Sequence, residues 1–207
     1  MLARLIRAKV WICLLILGIG VIAFGIRGIN ENNRPAIDMS EPGFEWSELN
    51  VGDHVVFDTD QVFPAFAQVI EKDKVKGRYY AMPHIVNEDG MYSIDDFLGI
   101  YVRTDSKQTD SYDDLSEAAI TWWTSDAQDI DGTPVHIDGI IKEMPSDYHG
   151  FFTDYISEFG FDNSFINDSH CKLAIYPTEK NGVLILGIGI ICTVVSVVVL
   201  FFKLRKR

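Results

Sequence analysis

Cysteine is scarce in this 207-residue chain. There are three, and Cys13 and Cys192 each fall inside a long apolar run, which leaves Cys171 alone in the remainder. An internal disulfide framework is thereby excluded, and an exported domain of this size built without one fits a bacterial envelope better than an animal secretory pathway. Short catalytic signatures are lacking as well. There is no His-Glu-x-x-His, Gly-rich phosphate loop, nucleophile elbow or dinucleotide fingerprint. The five histidines, His54, His84, His136, His149 and His170, form none of the short pairs that hold zinc. Acidic residues are missing from both ends, all thirty lying between Glu31 and Glu179.

Charge of either sign is absent from two stretches. Residues 10–26, bounded by Val10 and Ile26, and residues 183–202, bounded by Val183 and Phe202, contain no Asp, Glu, Lys or Arg. About twenty apolar residues are what an α-helix needs to cross the hydrocarbon of a bilayer, so two terminal transmembrane helices are expected. Basic residues are retained on the cytoplasmic side. Arg4, Arg7 and Lys9 precede the first run, and Lys203, Arg205, Lys206 and Arg207 follow the second, against single charges at Arg27 and Lys180 on the inner flanks. Both termini are therefore expected in the cytoplasm and the middle outside it, in a two-pass protein of the cell membrane. A cleavable signal peptide ending near Ala23 and Gly25 is the alternative for the first run; its apolar stretch is long for that role, no A-x-A follows it, and cleavage would leave the middle on the same side.

From Glu31 to Lys180, ten basic residues stand against the thirty acidic ones, a formal charge of −20 where the whole chain carries −12. Such a surface repels nucleic acid and stands off anionic lipid headgroups. It can also recruit a cation or a basic partner. The organisation expected is a basic N-terminus (1–9), a span (10–26), a linker (27–43) rich in Asn and Pro, one extracytoplasmic domain (44–180), a span (183–202) and a basic tail (203–207).

The domain reads as α+β, strands first and helices later, and the strand pattern admits a small barrel-like sheet. Strands are expected at 51–58, 66–70, 79–86, 97–103, 135–141 and 172–176, with the alternating charges of 71–77 as a hairpin end. After Ser111, with Asp114 three residues on as a capping pair, Leu115, Ala118, Ala119, Trp122 and Trp123 recur at helical spacing. After Pro145 and Ser146, the residues Tyr148, Phe151, Phe152, Tyr155, Ile156 and Phe159 do the same, and Gly160 sits where such a helix should stop. Both amphipathic stripes are expected to pack on the sheet.

With Gly52, Asp53 and Val55 as a Gly-Asp-x-Val strand entry, Tyr79 and Tyr80 as a Tyr-Tyr strand, and Val135, Ile137 and Gly139 as a Val-x-Ile-x-Gly strand, the sequence resembles an uncharacterised family of bacterial membrane proteins. In that family two terminal spans bracket an extracytoplasmic domain. The resemblance implies this topology and no activity.

Three chemistries are weighed. The Gly-Asp-x-Val entry also occurs in membrane-anchored signal peptidases, which need a serine near the anchor and a desolvated lysine base. Ser40 is the one tempting serine, and the lysine-bearing strand is missing. Calcium is suggested by the cluster Asp126, Asp129, Asp131, Gly132 and Asp138. Set on a twelve-residue calcium loop, Gly132 takes the turn and Asp129, Asp131 and Asp138 take liganding positions, but Ala127 takes the first and a strand follows where a helix should. His136 and Asp138 share one strand face, which permits a metal site without implying it. Small residues within the spans, Gly18 and Gly25 in the first and Gly182, Gly189, Thr193 and Ser196 in the second, suit close helix packing, either between the two spans or with a second copy. No cofactor is expected beyond the calcium alternative. The expected role is a membrane-tethered binding or assembly module whose partners are the bilayer and another envelope protein, with an envelope enzyme whose site is scattered in sequence as the competing class.

Overall fold

The computed structural model describes residues 2–41, 44–88, 91–104, 108–125, 132–178 and 181–205. The chain divides into two units, Met1–Arg34 with Thr178–Arg207, and Pro35–Pro177.

The first unit is a pair of helices, α1 (Leu2–Asn32) and α5 (Gly182–Arg205). Each contains a stretch long and apolar enough to cross a membrane, Lys9–Glu31 and Gly182–Lys203, and only 11% of each stretch is buried. Their outward sides are apolar: Ile16, Leu17, Phe24, Val183, Leu184 and Ile191 are all more than half exposed. The helices run antiparallel. Lys203 lies 5.4 Å from the ring centre of Trp11 at one end, while Gly28 meets Gly182 at the other. The residues buried between them are Gly18 and Gly25 on α1 and Gly182, Gly189 and Ser196 on α5, which recur every seven positions. A repeat of seven keeps one face of a helix turned to a neighbour, and the lack of a side chain lets the backbones touch. A Cβ added at Gly25 would stand 2.6 Å from the Leu186 amide nitrogen, and one at Gly189 2.8 Å from that of Ile22. Ser196 satisfies its hydroxyl on the Cys192 carbonyl at 2.7 Å. The spacing of small residues thus identified the contact between the two apolar helices, and Gly20 and Gly187, with open space around them, lie outside it.

The stretch expected as a linker is largely ordered. α1 continues through Asn32, helped by the i,i+4 pair of Arg27 and Glu31 at 2.9 Å, and Ala36–Asp38 forms β1. The domain that follows is α+β, with a 3-10 turn at Trp46–Glu48 and strands β2 (His54–Thr59), β3 (Phe63–Glu71), β4 (Lys74–Glu88), β5 (Met91–Arg103), β6 (Val135–Glu143) and β7 (Leu173–Pro177). They form one mixed sheet in the order β1-β2-β6-β7-β5-β4-β3. The sheet is open, with β1 and β3 at its edges, and so is not a closed barrel. The β3–β4 hairpin is tighter than the charge pattern suggested. Glu71 pairs with Lys74, and Lys72 and Asp73 take positive φ of 50° and 61°, the two-residue turn whose twist matches the strands.

Alternate residues of the central strands enter different cores. Tyr80, Met82, Leu98, Ile100 and Ile175 belong to one, with Tyr112 and Leu115 of α2 (Thr109–Thr124) against them. Tyr79, Ala81, Phe97 and Ala174 belong to the other, covered by Phe152 and Ile156 of α3 (Ser146–Glu158) and Ile166 of α4 (Asn163–Asp168). The middle of the sheet is therefore buried on both faces, which is why its strands read as nearly continuous apolar runs. α2 starts three residues earlier than a cap at Ser111 would place it. Gln108 precedes it without a side-chain cap, so Ser111 lies in the first turn and is no cap. Trp123, expected inward, is 37% exposed and touches Phe63 edge-on at 6.0 Å. On α3, Phe152 stacks on Phe66 at 4.3 Å while Phe151 is exposed. Gly160 ends it with φ +90°, the left-handed stop the sequence announced.

A side chain introduced at the helix contact must push backbone apart. Gly25→Val is expected to destabilise the full chain in detergent by about 1–3 kcal/mol, read from thermal unfolding, while Gly20→Val leaves the midpoint unchanged. Equal effects of the two would contradict this packing.

Candidate functional site

β7 is shorter than its neighbours, and that difference in length opens a cleft. It stops at Pro177, opposite Gly139 of β6 and just past the Ile100 level of β5. β6 begins four residues before Gly139, at Val135, and β5 continues to Arg103. Among the described residues, these two strands flank a gap one strand wide past the end of β7. The start of α2 closes one end of it: Gln108 Nε2 donates to the His136 carbonyl at 3.3 Å and Thr109 Oγ1 to the Arg103 carbonyl at 3.2 Å. The resulting cavity of about 110 Å³ has Ile100, Val102, Ile137 and Ile175 as its apolar floor, with Tyr112 among them and Arg103, His136 and Asp138 at its rim. A second hollow, about 160 Å³, lies beside Trp46 and His84 and is lined by Asp58, Asp60 and Gln61.

Tyr112 is the notable member of the first cavity. It is 3% exposed, yet its hydroxyl meets no hydrogen-bond partner among the described residues and is not among the enclosed unbonded atoms, which are Arg78 Nε, Tyr155 Oη and Thr193 Oγ1. It opens on the cleft. Burial raises its pKa well above that of a free phenol, so it faces the cleft as a neutral donor and acceptor. Beside it Tyr80, pushed up to about 12 by burial, donates to Asp113 at 2.7 Å, and Arg78 binds the other oxygen of that carboxylate at 2.6 Å. This pair of bonds fixes α2 on β4 and holds Tyr112 in place.

The histidines are used in pairs with aspartate. His136 Nδ1 lies 2.7 Å from Asp58, its direct cross-strand neighbour, and His54 Nε2 lies 2.9 Å from Asp138 on the diagonal. The shared face expected for His136 and Asp138 is what brings these four residues together on β2 and β6. His84 Nδ1 meets Asp95 at 2.6 Å and His170 Nδ1 meets Asp96 at 2.6 Å. Between those pairs β4 and β5 slip register, His84 facing Asp96 and Ile85 facing Ile94. Asp95 is thus the extra residue of a β-bulge, which turns two consecutive aspartates to two different histidines. Asp96, 9% exposed, also accepts from the amides of Phe97 and His170 at 2.7 Å each. A carboxylate with three donors stabilises the turn into β7.

Other expected residues have no comparable surroundings. Ser40 gives its amide and hydroxyl to Asp38, at 2.9 and 2.5 Å. First the hydroxyl and then the amide hold that carboxyl below its usual range, and the hydroxyl is engaged as a donor in a local turn. Cys171, beside His170, is fully buried. Burial pushes its thiol up to about 11, against a smaller lowering by the Ser169 hydroxyl at 2.9 Å, so it is no thiolate nucleophile. Asp126, Asp129 and Asp131 of the calcium alternative lie outside the described residues, as do Lys206 and Arg207; Asp138 is engaged by His54. Among the described residues no group of three or more His, Cys, Asp or Glu side chains is placed to hold an ion.

No family model matches the chain, and no curated protein matches it. The resemblance through Gly52, Tyr79, Tyr80 and Val135 therefore stands on those motifs alone. Gly52, with φ +98°, does make the turn the motif requires. The pattern missed Tyr112, Gln108 and Arg103. Tyr112 lies three positions before Leu115 and could have been read as the start of that stripe; the other two belong to the cleft only because β7 is short.

Two outcomes follow. Asp96→Ala leaves the His170 and Phe97 donors without their acceptor and is expected to cost about 3 kcal/mol, measured as the urea midpoint of the full chain; an unchanged midpoint would refute the anchoring role. With Cys13 and Cys192 replaced by serine, Cys171 is expected to resist a thiol reagent at pH 8 until the chain unfolds. Its folded pKa is raised, so its contribution to stability is complete below about pH 9, the unfolded value, and declines as pH rises through 11. Native labelling at the rate of a free thiol would contradict that burial.

Proposed function

We propose that this chain is a two-span membrane protein, both termini cytoplasmic, which displays its acidic α+β domain outside the cell membrane of a bacterium as a binding or assembly module. The observation that carries it is the exposed apolar surface of the α1–α5 pair. In water a patch of that extent would aggregate, whereas lipid tails are its natural solvent. The sequence between the spans carries all thirty acidic residues, and Lys9, Lys203 and Arg205 flank the ends of the spans farthest from it, the arrangement the positive-inside preference favours. Trp11 beneath Lys203 suits the headgroup level, where an aromatic ring and an ammonium both find partners.

A module is favoured over an enzyme by the use made of the histidines. His54, His84, His136 and His170 each face an aspartate across or beside the sheet, which serves to fasten strands. Support for binding comes from the cleft with its open Tyr112 hydroxyl.

Topology can be measured in intact cells with a chain whose native cysteines are replaced. Lys74→Cys, on the exposed β3–β4 hairpin, is expected to react with a membrane-impermeant maleimide, and a tag fused after Arg207 is expected to escape external protease. A digested tag, an unreactive Cys at 74, or a full chain that stays monomeric in water without detergent would each overturn the reading.

A further inference from the structure

We propose that the hollow beside Trp46 and His84 is a site for a soft monovalent cation, copper(I), held by the His84 imidazole and the thioether sulfurs of Met39 and Met82. The proposal gives the binding module a ligand and so rests on that reading. Its central observation is that these three side chains line one hollow of about 160 Å³ together with Trp46. Each brings a donor that the fold leaves unused. His84 Nδ1 is taken by Asp95 at 2.6 Å, while Nε2 meets no partner among the described residues and is not among the enclosed unbonded atoms. Neither methionine sulfur accepts a hydrogen bond from a described residue.

The imidazole is prepared as a ligand. With Asp95 accepting the Nδ1 proton, the lone pair lies on Nε2, and a carboxylate behind a ligating ring is what fixes that tautomer in metal sites. Trp46 stacks on the same ring with 4.7 Å between centres and so fixes its plane. Met82 stands two positions before His84 on β4, so the two share a face of the strand. Met39 follows β1 directly and reaches the hollow from a separate element. Methionine is unbranched, so its sulfur adjusts to an ion that the fixed ring positions. The donor set then selects the metal. His, Cys, Asp and Glu by themselves form no group of three that could hold an ion among the described residues. Of the two carboxylates at the hollow, Asp58 is engaged by His136 at 2.7 Å, which leaves Asp60. One carboxylate falls far short of the roughly six to eight oxygens that calcium takes. Thioether sulfur beside imidazole suits copper(I), whereas zinc is better served by thiolate or carboxylate. The acidic excess of the domain raises the local concentration of any cation, and the soft donors decide which one stays.

The test is calorimetric titration of the full chain in lipid nanodiscs, its native cysteines replaced so that no thiol competes. The probes are silver(I) in chloride-free buffer, a redox-inert stand-in, and copper(I) kept reduced by ascorbate. Both are expected to bind saturably at one ion per chain. Met39→Leu and Met82→Leu keep the side-chain volume and remove the sulfur, and each is expected to weaken binding at least about tenfold, the scale of a lost metal-site partner, while the thermal midpoint of the metal-free chain stays in place. Met144→Leu, in the other core, is expected to bind as the parent does. Absence of saturable binding, a Met39→Leu variant that binds as well as the parent, or displacement of silver(I) by an equal concentration of zinc(II) would overturn the proposal. A domain shown by the Lys74→Cys labelling to lie outside the membrane, yet indifferent to silver(I) and copper(I), would reject the metal and leave the display reading intact.

Discussion

The five residues of β7 are the constraint on which the domain depends. They pair parallel with β5 on one side and antiparallel with β6 on the other, and so join the β3–β4–β5 meander to the β1–β2–β6 half of the sheet. Both neighbours give way to admit them. Gly99 of β5 sits where a Cβ would meet Met144 at 2.6 Å and Ala174 at 3.1 Å, and Gly139 of β6 sits where one would run into Ile175 and, at 2.7 Å, the Tyr176 carbonyl. Glycine normally weakens a strand. Here the two glycines allow tight seating of the one strand that connects the halves among the described residues, and Ala174 and Ile175 are driven into opposite cores by the same seating.

What stabilises β7 at its start also explains its end. Its approach is fixed by the His170–Asp96 contact and by the Met144 amide donating to the Lys172 carbonyl at 2.8 Å, both upstream of Leu173. Nothing comparable among the described residues draws pairing beyond Pro177, and proline itself offers no donor to extend a ladder. The longer strands on either side are left facing each other, and the first turn of α2 satisfies two of their carbonyls instead. The cleft is thus a by-product of anchoring a short strand at one end, and the Tyr112 hydroxyl is open because the helix that carries it was placed by Arg78, Tyr80 and Asp113 one strand further on.

This accounts for what could be read from the chain and what could not. Alternation and apolar runs announced β2 to β7 because burial on both faces of the central sheet leaves few polar interruptions. The stripes of α2 and α3 were legible for the same reason. β1 was not: three residues with one half-buried side chain carry no period, and a parallel pairing to β2 leaves no turn between them as a marker. α4, six residues capped by Asp162 accepting from the Phe165 amide at 2.9 Å, is shorter than two helical repeats. The His–Asp pairs link positions 84, 78, 74 and 11 residues apart, and no local spacing encodes a cross-strand diagonal or a bulge. The cleft depends on the relative lengths of three strands, which is a property of their register and not of any one segment.

The helix pair follows a different economy from the domain. Within hydrocarbon, burying an apolar side chain gains little, so contact between helices depends on how closely their backbones come and on satisfying each hydroxyl. The small residues that allow that approach, Gly18 and Gly25 against Gly182, Gly189 and Ser196, are all engaged within one chain. Association of two copies through the same face would therefore have to separate α1 from α5 first, exchanging one set of backbone contacts for an equivalent set at the cost of losing a tethered, high effective concentration partner. The intramolecular pairing wins that competition on connectivity alone. Gly20 and Gly187 stand outside this contact, with nothing within 4 Å of where a Cβ would be.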